Sequence, residues 1–117
     1  MEAKALKKYI RSSPRKMRLV IDLIRGKKAE DALAILRFQP KLAARDAEMV
    51  LRSAIGNLNV KAQEAEKNIK DKDIYVKKCW VNQGPTMKRI RPAPMGRAYR
   101  VRKRTNHLSI VVATDEK

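Results

Sequence analysis

The sequence predicts an α+β fold: three helices packed on a small three-stranded antiparallel sheet, with a long β-hairpin projecting from it. Three observations predict it. Apolar residues recur at helical spacing through the middle of the chain. They alternate at strand spacing near both ends. A basic, Pro- and Gly-containing stretch interrupts the two strands of the last third. At 117 residues the chain suits one domain. A globular body is expected at about 1–80 and 105–117, and an extended basic hairpin at about 81–104.

Each element has its own signal. Ala3 to Ile10 alternate loosely and read as a strand. Ser13 then Pro14 supply an N-cap hydroxyl and a proline suited to the first helical position. Met17, Val20, Ile21 and Ile24 share one helical face, and Gly26 supplies the stop. Ala29, Ala32, Leu33 and Leu36 mark a second helix from about Ala29 to Phe38, which Pro40 ends. The third stripe is the longest: Ala43, Ala47, Val50, Leu51, Ala54, Ile55 and Leu58, within about Lys41 to Asn59. From Lys61 to Asp73 the chain is polar and is expected to finish that helix and loop back. Ile74, Val76, Cys79, Trp80 and Val81 read as a strand, and Leu108, Ile110 and Val112 as another. Gly84, Pro85, Pro92, Pro94 and Gly96 lie between them, as turn and edge residues do.

Charge narrows the function. There are 29 Lys and Arg against 12 Asp and Glu, a formal net charge of +17. A compact body with that excess repels itself unless a polyanion neutralises it, and nucleic acid is the usual polyanion. Between Asp73 and Asp115 there is no acid at all. That stretch holds Lys77, Lys78, Lys88, Arg89, Arg91, Arg97, Arg100, Arg102, Lys103 and Arg104. An arm so poor in apolar surface cannot bury itself against its own body, so an external RNA is expected to order it. Arginine outnumbers lysine there, and guanidinium bonds phosphate in two-pronged fashion.

A second basic cluster, Lys4, Lys7, Lys8, Arg11, Arg15, Lys16 and Arg18, precedes and opens the first helix. Free N–H groups at a helix start favour phosphate, whereas Lys and Arg there gain nothing from the helix itself. The only aromatics are Tyr9, Phe38, Tyr75, Trp80 and Tyr99, too few for a base-stacking sheet. Recognition is therefore expected to rest on phosphate, sugar and shape. The expected RNA-binding residues are Lys7, Lys8, Arg11, Arg15, Lys16, Arg18, Lys88, Arg89, Arg91, Arg97, Arg100, Arg102, Lys103 and Arg104.

Other chemistries lack their parts. The single cysteine, Cys79, allows neither an internal disulfide nor a cysteine-based zinc cage. The single histidine, His107, has no carboxylate partner in its third of the chain and is expected to pack near the hairpin base. No glycine-rich phosphate loop follows a strand. Glu64, Glu66, Asp71 and Asp73 are interleaved with lysines and read as solvated. No enzyme activity, cofactor or metal is expected. The basic N-terminus has no apolar run after it, and the apolar stretches are far too short to span a bilayer. No membrane partner is expected. A free architectural protein that binds nucleic acid through a basic arm is the alternative reading, with Met87, Ile90 and Met95 as wedges.

Several motifs, taken in order, resemble one family. They are Ser13-Pro14-Arg15-Lys16-Met17-Arg18, Ile24-Arg25-Gly26 and Ala32-Leu33-Ala34-Ile35-Leu36-Arg37-Phe38-Gln39-Pro40. Gly84-Pro85-Thr86-Met87-Lys88-Arg89, Gly96-Arg97-Ala98 and Lys103-Arg104-Thr105-Asn106-His107 follow. The series resembles the universal large-subunit ribosomal protein twenty-two family, in its short, bacterial form. The resemblance implies a monomer within the cytoplasmic ribosome that binds 23S-class large-subunit ribosomal RNA and supports early subunit assembly. It implies a body near the mouth of the polypeptide exit tunnel. The hairpin would line the tunnel wall beside ribosomal protein four of the large subunit and touch the nascent polypeptide. The tunnel-lining tip would be Met87, Lys88, Arg89, Ile90, Arg91, Pro92, Ala93, Pro94 and Met95. Ala93-Pro94 departs from the family's usual Arg-Ala and removes a charge from that tip.

Overall fold

A computed structural model describes residues 1–92, 96 and 98–114, with side chains for all of these except residues 71, 91, 92 and 98–102. Strand β1 (Glu2–Ile10) is followed by helices α1 (Pro14–Ile21), α2 (Ala29–Phe38) and α3 (Ala43–Glu64). Strands β2 (Ile74–Pro92) and β3 (Ala98–Thr114) complete the fold. The sheet order is β1-β3-β2, with both pairings antiparallel. The three-helix, three-stranded α+β arrangement is the one the sequence predicts.

Helix α1 starts as its sequence dictates. The Ser13 hydroxyl accepts a hydrogen bond from the Lys16 backbone N–H at 3.3 Å, and Pro14 opens the first turn. The α-helix stops at Ile21, earlier than the stripe predicts. Tighter bonds from the Leu23 and Ile24 amides to the Val20 and Ile21 carbonyls carry the chain on to Gly26, at φ 75°. This tightening keeps Ile24 fully buried.

Helix α3 runs past Asn59 to Glu64, because Ala62 continues the buried line of Val50, Ala54 and Leu58. Its end is a left-handed turn at Glu66 (φ 56°), where the Lys67 amide bonds back to the Ala62 carbonyl at 2.9 Å. No glycine marks that turn, so the sequence pattern does not show where the helix ends.

The helices cover one face of the sheet. Leu108, Ile110 and Val112 of the central strand are fully buried beneath Met17, Leu51 and Leu58. β2 and β3 then continue together beyond the body as a two-stranded ribbon, paired as far as Pro92 and Ala98. Two register shifts punctuate β2, at Val76/Lys78 and at Gln83/Thr86. At the second, Gly84 and Pro85 face the single residue Thr105, a bulge where proline cannot donate to the ladder. The molecule measures 67 × 26 × 15 Å with a radius of gyration of 17.6 Å. A compact chain of this length would have about 13 Å, and the projecting ribbon accounts for the excess.

Candidate nucleic-acid interface

The N-terminal basic cluster divides in two when folded. Three members are engaged by the protein. Lys7 pairs with Asp46 at 2.8 Å. Arg18 donates to the Val81 carbonyl at 3.1 Å, tying α1 to the root of the hairpin. Lys4 sits over the Trp80 ring, 5.1 Å from its centroid. Lys8, Arg11, Arg15 and Lys16 are exposed and form no ion pair among the described residues, although Arg11 and Lys16 line a second hollow that Asp46, already paired with Lys7, also borders. These four have both charge and donors uncommitted, whereas Arg18 and Lys4 keep their charge but are held in place by the protein.

Arg11 and Lys16 do not stand alone. They form one wall of a cleft of about 590 Å³, together with Ser12 and Ser13. The opposite wall is the root of the arm: Met87, Arg89, Lys103, Arg104 and Thr105. Two basic segments roughly seventy to ninety residues apart in sequence thus face each other, with no carboxylate in the lining. The far side of the ribbon has a shallower hollow at Gln83, Thr86, Lys88 and Arg104. Lys88 therefore points away from the cleft that Arg89 lines, as successive strand residues must.

Asn106 builds the cleft. It is fully buried, and its side-chain amide donates to the Ser12 carbonyl at 2.8 Å and the Ser12 hydroxyl at 2.7 Å. The loop carrying Arg11 is thereby locked to the central strand. Beside it the Thr105 hydroxyl donates to the Pro85 carbonyl at 2.6 Å and holds the bulge closed. Neither role is visible in the sequence, where Asn106 and Thr105 read as ordinary strand polar residues. A pattern of buried polar donors, once folded, is what identifies them.

Further out, Met87 and Ile90 are 42% and 76% exposed, and Lys88 and Arg89 are exposed beside them. Ala93, Pro94, Met95 and Arg97 lie outside the described residues. Arg91, Pro92, Arg100 and Arg102 lie outside the described side chains.

Charge is segregated across the fold. Residues 29–66, most of the helical layer, carry five basic and six acidic residues, a net charge of −1. The remainder of the chain therefore carries +18. The near-neutral stretch comprises α2 and α3, which pack against each other.

The two residues with intrinsic reactivity are both occupied structurally. His107 accepts the Tyr9 backbone N–H at Nδ1, at 3.0 Å, and meets the Tyr9 ring edge-on at 5.1 Å. Tyr9 holds a left-handed backbone (φ 59°) at the irregularity between Lys7 and Ile10, where β1 loses register with β3. Cys79 is buried, with its thiol 3.7 Å from the Ile21 carbonyl, and burial pushes its pKa up. No group of three or more potential metal ligands comes together among the described residues.

Comparison with known proteins agrees on one family. Residues 5–113 match the family described as Ribosomal protein L22p/L17e. The chain is 52% identical over 115 residues to the large ribosomal subunit protein uL22 of Pelotomaculum thermopropionicum, covering 97% of this chain and 96% of that one. It is 47% identical over 116 residues to the protein of the same name from Bifidobacterium longum, with 99% and 98% covered. The Chlorobium phaeobacteroides protein of that name is 48% identical over 114 residues, with 97% and 96% covered.

Proposed function

The chain belongs to the Ribosomal protein L22p/L17e family, and from that premise we propose that it binds 23S-class ribosomal RNA as a structural, non-catalytic part of the large subunit. The observation that carries the reading is the carboxylate-free cleft in which both basic clusters meet. RNA phosphate is the ligand whose chemistry that lining fits, and Arg gives it directional, two-pronged bonding. The near-neutral stretch that holds α2 and α3 supports an orientation with those two helices turned away from the RNA, while the start of α1 faces it.

The finer placement is part of the same proposal. The body sits near the mouth of the exit tunnel and acts early in subunit assembly. The ribbon reaches inward past ribosomal protein four, and its tip faces the nascent polypeptide. The eleven steps from Val81 to Pro92 extend the ribbon by about 36 Å at strand rise, enough to cross a layer of RNA. Exposed Met87 and Ile90 would supply apolar wall where RNA is absent.

The same exposed Ile90 is what a free architectural protein would use as a wedge between base pairs. Co-sedimentation separates the two readings. A ribosomal component stays with large subunits at moderate salt, whereas a free architectural protein remains in the supernatant and bends duplex DNA. The salt dependence of binding to 23S-class RNA then tests the site. Replacing Arg15 and Lys16 with Gln should lower the log–log salt slope by roughly one unit for each phosphate that is no longer neutralised. An unchanged slope would remove this cluster from the interface.

A further inference from the structure

We propose that the cleft between the Ser12–Ser13 loop and the root of the arm is a clamp for a single unpaired stretch of RNA backbone. In this clamp the two basic clusters act as one site. The inference rests on the RNA-binding reading and adds to it the class of RNA element taken and the residues that take it.

Three observations carry it. The first is size. A sphere of the cleft's volume is about 10 Å across. An anion at its centre lies about 5 Å from either wall, inside the ~8 Å screening length at physiological salt. It therefore feels Arg11 and Lys16 on one side and Arg89 and Lys103 on the other, and this favours a ligand that touches both walls. A hollow of this volume takes a group the size of one or two nucleotides. A whole duplex is too wide to enter, and a looped-out or bulged strand, the kind of RNA that proteins reach most readily, is the element that fits between both walls.

The second is lining. Met87 places an apolar thioether among the cations, and the Arg89 guanidinium lies 3.5 Å from its sulfur. A bare phosphate site has no use for that surface, but a ribose or base attached to the phosphate would pack on it. The third is rigidity. The Asn106 amide fixes the Ser12 side of the cleft, and the Thr105–Pro85 bond fixes the other. The cations are therefore presented on two anchored walls, and less ordering entropy is lost on binding than by two loose segments.

The test is a double-mutant cycle on the full-length chain, binding 23S-class ribosomal RNA at fixed moderate salt. Lys16→Gln and Lys103→Gln alter opposite walls, and both side chains are exposed. Lys103 pairs with Met87 and so shares the face of the ribbon that lines the cleft. Each variant alone should weaken binding by roughly tenfold or more, as removal of a charge-assisted hydrogen bond does. If one RNA element spans both walls, the double variant falls short of the product of the singles by at least about threefold. A second readout uses the labelled methionine methyls. Met87 should shift when a short bulged RNA is added and stay put with an unbulged duplex, while Met49 on α3 stays put with both. Strictly multiplicative losses, or an equal response of Met87 to both RNAs, would overturn the clamp and leave RNA binding intact. Failure of the unaltered protein to bind ribosomal RNA at all would overturn both readings.

Discussion

The side-chain amide of Asn106 reaches across 94 residues of sequence to donate two hydrogen bonds to Ser12, at 2.8 Å to its carbonyl and 2.7 Å to its hydroxyl. It joins the strand at the centre of the sheet to the loop that starts the first helix. Asn106→Ala would leave the Ser12 carbonyl without that partner and open a small void. A loss of about 2 kcal/mol is expected, the usual cost of abandoning buried hydrogen bonds. Urea denaturation of the isolated protein measures it. Asn106→Asp should cost at least as much, since a carboxylate cannot donate to that carbonyl. A loss within error for both variants would mean the loop is held by something else.

Gly84 packs against Thr105 so closely that a Cβ would lie 2.5 Å from the threonine hydroxyl and 3.1 Å from the His107 ring. Gly84→Ala must therefore break the Thr105–Pro85 bond or move the bulge. We expect a loss of about 1–3 kcal/mol, the cost of overpacking a filled site. Combining it with Thr105→Ser would not relieve the clash, because the hydroxyl remains. Thr105→Ala removes the oxygen and should recover part of the loss. Thermal unfolding of the three variants checks this order.

Deleting Met87, Lys88 and Arg89 shortens β2 by an odd number of residues and removes two charges. The rest of the arm then presents its opposite face, because strand side chains alternate with a period of two. This part of the ribbon contributes nothing to the core of the body, so the unfolding transition of the isolated protein should be unchanged. Ribosomes carrying the deletion should assemble and should differ in tunnel width. An unaltered tunnel would end the tunnel-lining reading while leaving RNA binding standing.

Cys79 is protected by burial, which raises its pKa above the ordinary 9.0. Native protein should react slowly with iodoacetamide between pH 7 and 9, and rapidly once unfolded. The linkage has a definite sign. A thiol whose folded pKa is raised stabilises the fold fully below its unfolded pKa. That contribution is lost as pH rises from there through the folded value. Stability should therefore decline above about pH 9, and Cys79→Ser should reduce that decline. Rapid native labelling at pH 7 would show that the strand is open.

The α+β class, the N-cap at Ser13, the three helical stripes and the basic arm are all legible in the sequence. These features are local or periodic: a hydroxyl before a proline, apolar residues every three or four positions, a stretch without acids. The motif series, read in order along the chain, also points to the family without any help from the fold. Local pattern failed where no residue type marks the event. The end of α3 is such a case, set by a left-handed glutamate and by one more buried alanine, Ala62. Which cations are held by the protein follows from packing. Lys7 and Arg18 look like Arg11 and Lys16 in the sequence, yet the first pair is engaged by Asp46 and the Val81 carbonyl. Only the fold, too, brought Arg11 and Lys16 opposite Lys103 and Arg104. A shared cleft is a property of distances between segments remote in the chain, and those distances follow from packing the helices on the sheet.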